Sequence, residues 1–122
     1  MNNNLRKGLR FEDQARRYLS ARGLELLESN YRCRFGEIDL IMRDAQTLCF
    51  IEVRFRNSLN FGGASASITP AKQRRIIKAA LFYLSSHRPG MNQALRFDAL
   101  LIQQQDRNKL DYNWIQSAFY AE

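Results

Sequence analysis

GEIDLIMRDAQTLCFIEVRFR, residues 36–56, is the stretch on which the fold turns. In its first half Ile38, Leu40 and Met42 alternate with Glu37, Asp39 and Ile41. In its second half Cys49, Ile51, Val53 and Phe55 alternate with Leu48, Phe50, Glu52 and Arg54. A period of two marks a β-strand, whose successive side chains point to opposite faces. Two such runs about a short polar break predict a hairpin. With the turn centred on Asp44-Ala45, Arg43 faces Gln46 and Asp39 faces Phe50.

On the N-terminal side, Leu5, Leu9, Ala15 and Leu19 fall on one face at helical spacing, which predicts a helix over residues 5–22 that Gly23 stops. Residues 24–34 read as a strand running into a turn at Phe35-Gly36. On the C-terminal side, residues 57–67 are rich in Gly, Ser, Asn and Ala, the composition of a mobile loop. Thr69-Pro70 supplies an N-cap with proline at the first helical position. The helix it opens runs to about residue 87, with Ile76, Ile77, Ala80, Leu81 and Leu84 as its buried stripe and Pro89-Gly90 as its end. Residues 95–103 and 109–113 read as strands, the second at an edge, and residues 114–120 as a short closing helix. The order α-β-β-β-α-β-β-α predicts an α/β fold, a mixed central sheet flanked by helices, in a single domain over residues 1–122.

Length and composition narrow the function classes. A chain of 122 residues with 45% hydrophobic and 25% charged residues suits one soluble domain. No apolar run is long enough to cross a bilayer, and the polar, basic start is unlike a signal peptide, so a cytoplasmic location is expected. Cys33 and Cys49 are too few for a disulfide scaffold, and the lone His87 leaves no Cys/His zinc set. The net charge of +7 is concentrated. Residues 53–97 contain no acid but hold Arg54, Arg56, Lys72, Arg74, Arg75, Lys78, Arg88 and Arg96, the whole surplus. Arginine's flat fork suits phosphate oxygens, which favours a polyanion partner over a merely solvated face.

Acids break the pattern in two places. Glu12 falls among Gly8, Leu9, Ala15 and Leu19, on the face that should be packed. A buried carboxylate is costly without a partner, whereas a Glu at the margin of the stripe needs only a nearby arginine. In the hairpin, Glu52 shares a face with Asp39 as a diagonal neighbour, at roughly 7–8 Å between Cβ atoms. Glu37 lies opposite Glu52, and Arg54 follows on the same face. Carboxylates so close repel unless a proton or cation lies between them, and Mg²⁺ is held by one or two carboxylates with water and phosphate. Spacing alone equally allows an exposed face whose acids pair with Arg34, Arg43 or Arg54.

Residues 36–41 (GEIDLI) and 50–56 (FIEVRFR), with Asn30 just before, resemble the YraN family of small bacterial proteins. Gly8, Glu12 and Ala15 on the first helix, Lys72 early in the basic helix and Arg96-Phe97-Asp98 fit the same family, in order and spacing, over nearly the whole chain. The resemblance implies a restriction-endonuclease-like fold, close in plan to archaeal Holliday-junction resolvases. The site of that superfamily is an acid, a second acid on the next strand and a lysine two residues later. It therefore implies that Asp39 and Glu52 are ligands of Mg²⁺ or Mn²⁺, that the Val53 carbonyl is a third ligand, and that Glu12 completes the site from the helix. The implied chemistry is in-line hydrolysis of a phosphodiester bond, leaving a 5′ phosphate. Arg54 stands where the motif has lysine. It stays protonated, so it can hold a phosphate and stabilise the transition state but cannot serve as a base.

The expected function is a metal-dependent endonuclease acting on DNA, branched or damaged DNA included. A non-catalytic DNA-binding module on the same fold is the rival, favoured by Arg54, and an RNA- or protein-assembly factor is a third reading. Arg56, Lys72, Arg74, Arg75 and Lys78 are the candidate phosphate contacts. Arg74 and Lys78 lie one helical turn apart, and Lys72 is a candidate second cation for the site. Related resolvases pair to cut two strands, so a homodimer is one assembly the resemblance allows. Asp98 is expected to pair with Arg96. Tyr18, Tyr31, Phe97 and Trp114 belong to the core, while Cys33, Cys49 and His87 are structural or incidental.

Overall fold

A computed structural model describes residues 3–57, 68–87, 93–106 and 109–121. The chain runs α1 (Asn3–Ser20), β1 (Glu25–Cys33), β2 (Gly36–Asp44), β3 (Thr47–Asn57), α2 (Pro70–His87), β4 (Leu95–Asp106) and β5 (Lys109–Phe119). The strands form one open sheet in the order β1-β2-β3-β4-β5. Neighbours are antiparallel except β3 and β4, which run parallel and are separated in sequence by α2. Parallel neighbours need such a crossover, and a helix is its usual form. The expected α/β class, a mixed sheet flanked by helices, is the observed one, and its order is consistent with a restriction-endonuclease-like fold. Among the described residues no helix is long and apolar enough to cross a membrane.

Each helix end is written in the sequence. Gly23, at φ +98°, takes the conformation that closes α1, and the Leu24 N–H donates to the Leu19 carbonyl at 3.2 Å. Leu19 and Leu24 are both buried in one cluster, the hydrophobic contact that accompanies this kind of cap. At the start of α2 the Thr69 Oγ1 accepts from the Lys72 N–H at 3.2 Å, with Pro70 first in the helix. The cap thus fixes Lys72 in the first turn.

The two helices lie on opposite faces. α1 covers a cluster of Ala15, Leu19, Leu40, Met42, Cys49, Ile51, Leu100 and Ile102. α2 covers one that includes Ile38, Ile41, Leu48, Phe50, Ile76, Ala80, Phe97 and Phe119. In the stripe of α2, Leu81 departs from expectation: it is exposed, and Ala79 and Tyr83 are buried in its place. The expected loop beyond Asn57, the Pro89-Gly90 stop, Arg88 and the side chains of Leu5 and Leu9 lie outside the described residues.

Two expectations are corrected. The hairpin turn is Ala45-Gln46, so Asp44 pairs with Thr47, Arg43 with Leu48 and Leu40 with Ile51. Asp44 stays in β2 because its Oδ2 accepts from Arg96 Nη2 at 3.2 Å, and Ala45 takes the positive φ (+55°) that the tight turn needs. Moving the turn by one residue moves each partner by two, which keeps residues 40–42 and 48–51 on their expected faces.

The second correction is larger. The expected closing helix over residues 114–120 is instead the outer half of β5. The fully buried carboxylate of Asp98 accepts from Trp114 Nε1 and from the Ser117 N–H, both at 3.0 Å. The β4–β5 register shifts there, between Phe97↔Phe119 and Ala99↔Ile115, and Ser117 sits at φ +53°. This irregularity breaks the strand alternation. Trp114 with Ala118, and Ile115 with Phe119, then stand four apart, the spacing of a helix.

Candidate functional site

Asp39 and Glu52 meet where the β2–β3 ladder opens. The last paired residues on that side are Leu40 and Ile51. Beyond them the Val53 N–H donates to the Asp39 Oδ2 at 2.8 Å, so a carboxylate takes the place of a ladder carbonyl. Strand alternation also breaks at Asp39. Ile38 and Ile41 both pack on the α2 side, while Leu40 and Met42 pack on the α1 side. Asn30 stands across β1 from this break, between the pairs Ser29↔Leu40 and Tyr31↔Ile38, at φ +54°. Asparagine tolerates that left-handed conformation better than most residues, and strained backbone of this kind concentrates at functional sites.

On β3, Leu48 and Phe50 face α2 and Cys49 and Ile51 face α1, which puts Glu52 and then Arg54 on the α2 side. Glu52 is buried, and its Oε1 meets the Lys72 Nζ at 2.6 Å. Lys72 comes from the capped first turn of α2, twenty residues along the chain. The two acids also act on each other. Burial, then the negative charge of Glu52, pushes the Asp39 carboxyl up to about 7, against the opposing Val53 N–H and Lys72. Glu12 also raises it, more weakly than Glu52 does. The Glu12 carboxyl is itself raised by burial, while a hydrogen bond from the Asn30 side chain pulls it back. With Asn30, Ser29, Leu40, Asp13 and Arg16, Glu12 lines a small cavity of about 150 Å³.

Glu37, expected opposite Glu52, is exposed and pairs instead with Arg32 at 3.3 Å. Among the described residues no three Cys, His, Asp or Glu side chains form a group able to hold a metal ion. The Asp39–Glu52 pair is therefore what a cation site would be built on, with Glu12 as a neighbour and the Val53 N–H fixing Asp39. Two carboxylates suit Mg²⁺, which keeps several waters and takes its other ligands from a phosphate. The donor set fits, and the Lys72 ammonium already occupies the place beside Glu52 where positive charge is needed.

The remaining expected bases spread out. Arg74, Arg75 and Lys78 are exposed on α2. The Cβ of Arg75 packs over Gly36, where a side chain on that residue would meet it at 3.3 Å. Arg74 lines a groove between α2 and the end of β5. Arg56 lies near the end of β3, where it lines a different cavity with Gln103 and Asp111. Asp98 is structural as expected, bonded to Arg96 Nε at 2.9 and 3.1 Å. Sequence reasoning gave Asn30 no role. Its signals were its place just before the motif that carries the family resemblance and an asparagine, a residue that favours turns, inside an otherwise extended run.

A family model described as uncharacterised protein family UPF0102 matches residues 11–102, which bears out the resemblance to the YraN family. A UPF0102 protein of Nitrosomonas europaea is 51% identical over 93% of this chain and 92% of its own length. One of Ralstonia nicotianae is 52% identical over 91% of this chain and 84% of its own. One of Alcanivorax borkumensis is 44% identical over 91% and 89%.

Proposed function

The chain belongs to the uncharacterised protein family UPF0102, and we propose that it is a metal-dependent endonuclease hydrolysing phosphodiester bonds in DNA. The observation that carries this reading is the Asp39–Glu52 pair at the open end of the β2–β3 ladder, joined by Lys72 from within an acid-free basic segment. When bound there, Mg²⁺ or Mn²⁺ supplies Lewis acidity toward a phosphate and a bound water.

The chain's own residues do the rest. The Val53 N–H holds the Asp39 carboxylate in a fixed direction. Glu52 and Asp39 give the cation its two protein oxygens, and Glu12, tied to Asn30, adds negative charge from the α1 side. Lys72, held beside Glu52 by their ion pair, can donate to a non-bridging phosphate oxygen. It therefore stands in, from α2, for the lysine absent two residues after Glu52. Arg54 neutralises charge building on the phosphate, and the exposed bases of α2 hold the backbone.

A second reading, a DNA-binding module without cleavage, has one observation in its favour. The Lys72–Glu52 ion pair neutralises the buried carboxylate without any metal. Incubation with single-stranded, duplex, flap and four-way-junction DNA in Mg²⁺ or Mn²⁺ separates the two. Nicking that is lost in Asp39→Asn and Glu52→Gln supports the nuclease. Salt-sensitive binding that survives Glu52→Ala, with no nicking by the wild type on any substrate, supports the module. Preferential capture of RNA or protein refutes both.

A further inference from the structure

A groove of about 380 Å³ runs between α2 and the end of β5, lined by Pro70, Gln73, Arg74, Ile77, Phe119 and Tyr120. Its volume lies within the roughly 300–1,000 Å³ of small-molecule sites. Phe119 is a buried lining residue, its ring stacked on Phe97 at 5.0 Å between centroids, and Ile77 adds an apolar wall. Tyr120 is 71% exposed, which is unusual for a large ring with buried aromatics next to it. Arg74 is exposed, and Gln73 is pinned by a 2.7 Å hydrogen bond from its Nε2 to the Ile68 carbonyl. None of the six lining residues is acidic, and α2 belongs to the acid-free run of residues 53–97.

A flat exposed ring, an apolar wall and a guanidinium, with no carboxylate among the described residues that line the groove, match an unpaired nucleobase with its phosphate. Every base has a face that stacks on an aromatic ring, and arginine takes the backbone oxygen. Paired bases do not offer that face. Lys72 and Arg74 leave the N-terminal turns of α2 on different faces but only about 3 Å apart along its axis, Lys72 toward Glu52 and Arg74 toward the groove, so a strand crossing that end of the helix can pass from one to the other. We propose that this groove binds an unpaired base of the DNA strand whose backbone passes Lys72. The substrate is then DNA with a single-stranded segment, such as a flap, fork or open junction, in preference to continuous duplex. This rests on the DNA reading above and adds the substrate class to it.

The test is binding without cleavage. Fluorescence anisotropy of the full chain in EDTA is measured with oligo-dT, a blunt duplex of equal length, a flap carrying the same single strand, and oligo-rU. The wild type is expected to bind oligo-dT and the flap more tightly than the duplex. Tyr120→Ala should weaken both by about fivefold or more while leaving the duplex unchanged, and Tyr120→Phe should restore them. Arg74→Ala should weaken oligo-dT and lower its salt slope by about 0.7. Tyr120 is exposed, so neither of its substitutions enters the core. Unchanged oligo-dT affinity in Tyr120→Ala or an equal loss on duplex overturns the groove assignment and leaves the nuclease reading standing, whereas preference for oligo-rU overturns both. Absence of binding to any DNA overturns that reading and this inference with it.

Discussion

Replacing Asp98 should unfasten the far side of the sheet. Its carboxylate is fully buried and accepts from Arg96 Nε, from Trp114 Nε1 and from the Ser117 N–H, all within 3.1 Å. Asp98→Ala leaves Arg96 with the 3.2 Å contact to Asp44 and its place over the Trp114 ring, and leaves the half-buried Trp114 and Ser117 donors without this acceptor. Breaking one side of a buried, hydrogen-bonded pair costs about 3–5 kcal/mol. Each orphaned donor adds roughly 1–3 kcal/mol where water cannot reach it. Partial relaxation offsets part of that sum, so about 4 kcal/mol is the expected loss, a large part of the roughly 5–15 kcal/mol that holds a domain together. Asp98→Asn keeps an oxygen acceptor but not the charge and should lose about half as much. Trp114 is the single tryptophan and touches the perturbed group, so its fluorescence in urea reports both variants. A loss below about 1 kcal/mol in Asp98→Ala would refute the view that this carboxylate holds the β5 irregularity in place.

Four further outcomes follow from the site. The folded-state carboxyl of Asp39 is raised from 3.8 to about 7, so its contribution to stability is fully present below pH 3.8 and is lost as pH rises through about 7. Urea midpoints of the metal-free protein should therefore fall between about pH 5 and about pH 8, and Asp39→Asn should flatten that slope. Mn²⁺ should raise the melting temperature of the wild type but not of Asp39→Asn or Glu52→Gln, since only a site present in the folded chain stabilises it. Lys72→Ala should keep Mn²⁺ binding by calorimetry and lose about 10²-fold in cleavage rate, whereas Arg54→Lys should keep or raise the rate. Arg74→Ala with Lys78→Ala should weaken DNA binding and lower the duplex salt slope by about 0.9 per lost contact, with Mn²⁺ affinity unchanged.

Local signals of this sequence survived into the structure where one element's own chemistry set the outcome. The Thr69-Pro70 start of α2, the Gly23 stop of α1 and the alternation in β3 are cases in which cap or pleat decides alone. Where a distant partner decides, the sequence was silent or misleading. The turn moved to Ala45-Gln46 because Arg96, more than fifty residues away, holds Asp44 in the strand. Residues 114–119 lie in a strand because Asp98 captures two of their donors.

The site divides the same way. Asp39 and Glu52 as a pair were legible from strand alternation, and a two-residue shift in partners does not by itself turn a side chain over, but the break at Asp39 that sends Ile38 to the α2 side was not legible. The Lys72–Glu52 contact was not, because it depends on where the crossover lays α2 across β3. Nor was the part of Asn30, whose left-handed backbone sits opposite a break in β2 that hydropathy does not register.

Crystals soaked in Mn²⁺ and measured for anomalous scattering test the cation site most directly. The expected result is one peak between the carboxylates of Asp39 and Glu52, at about the 2.0–2.2 Å of a hard divalent ion, with the Lys72 ammonium moved off Glu52. A map with no peak there, and with Lys72 still on Glu52 at saturating Mn²⁺, would contradict the account.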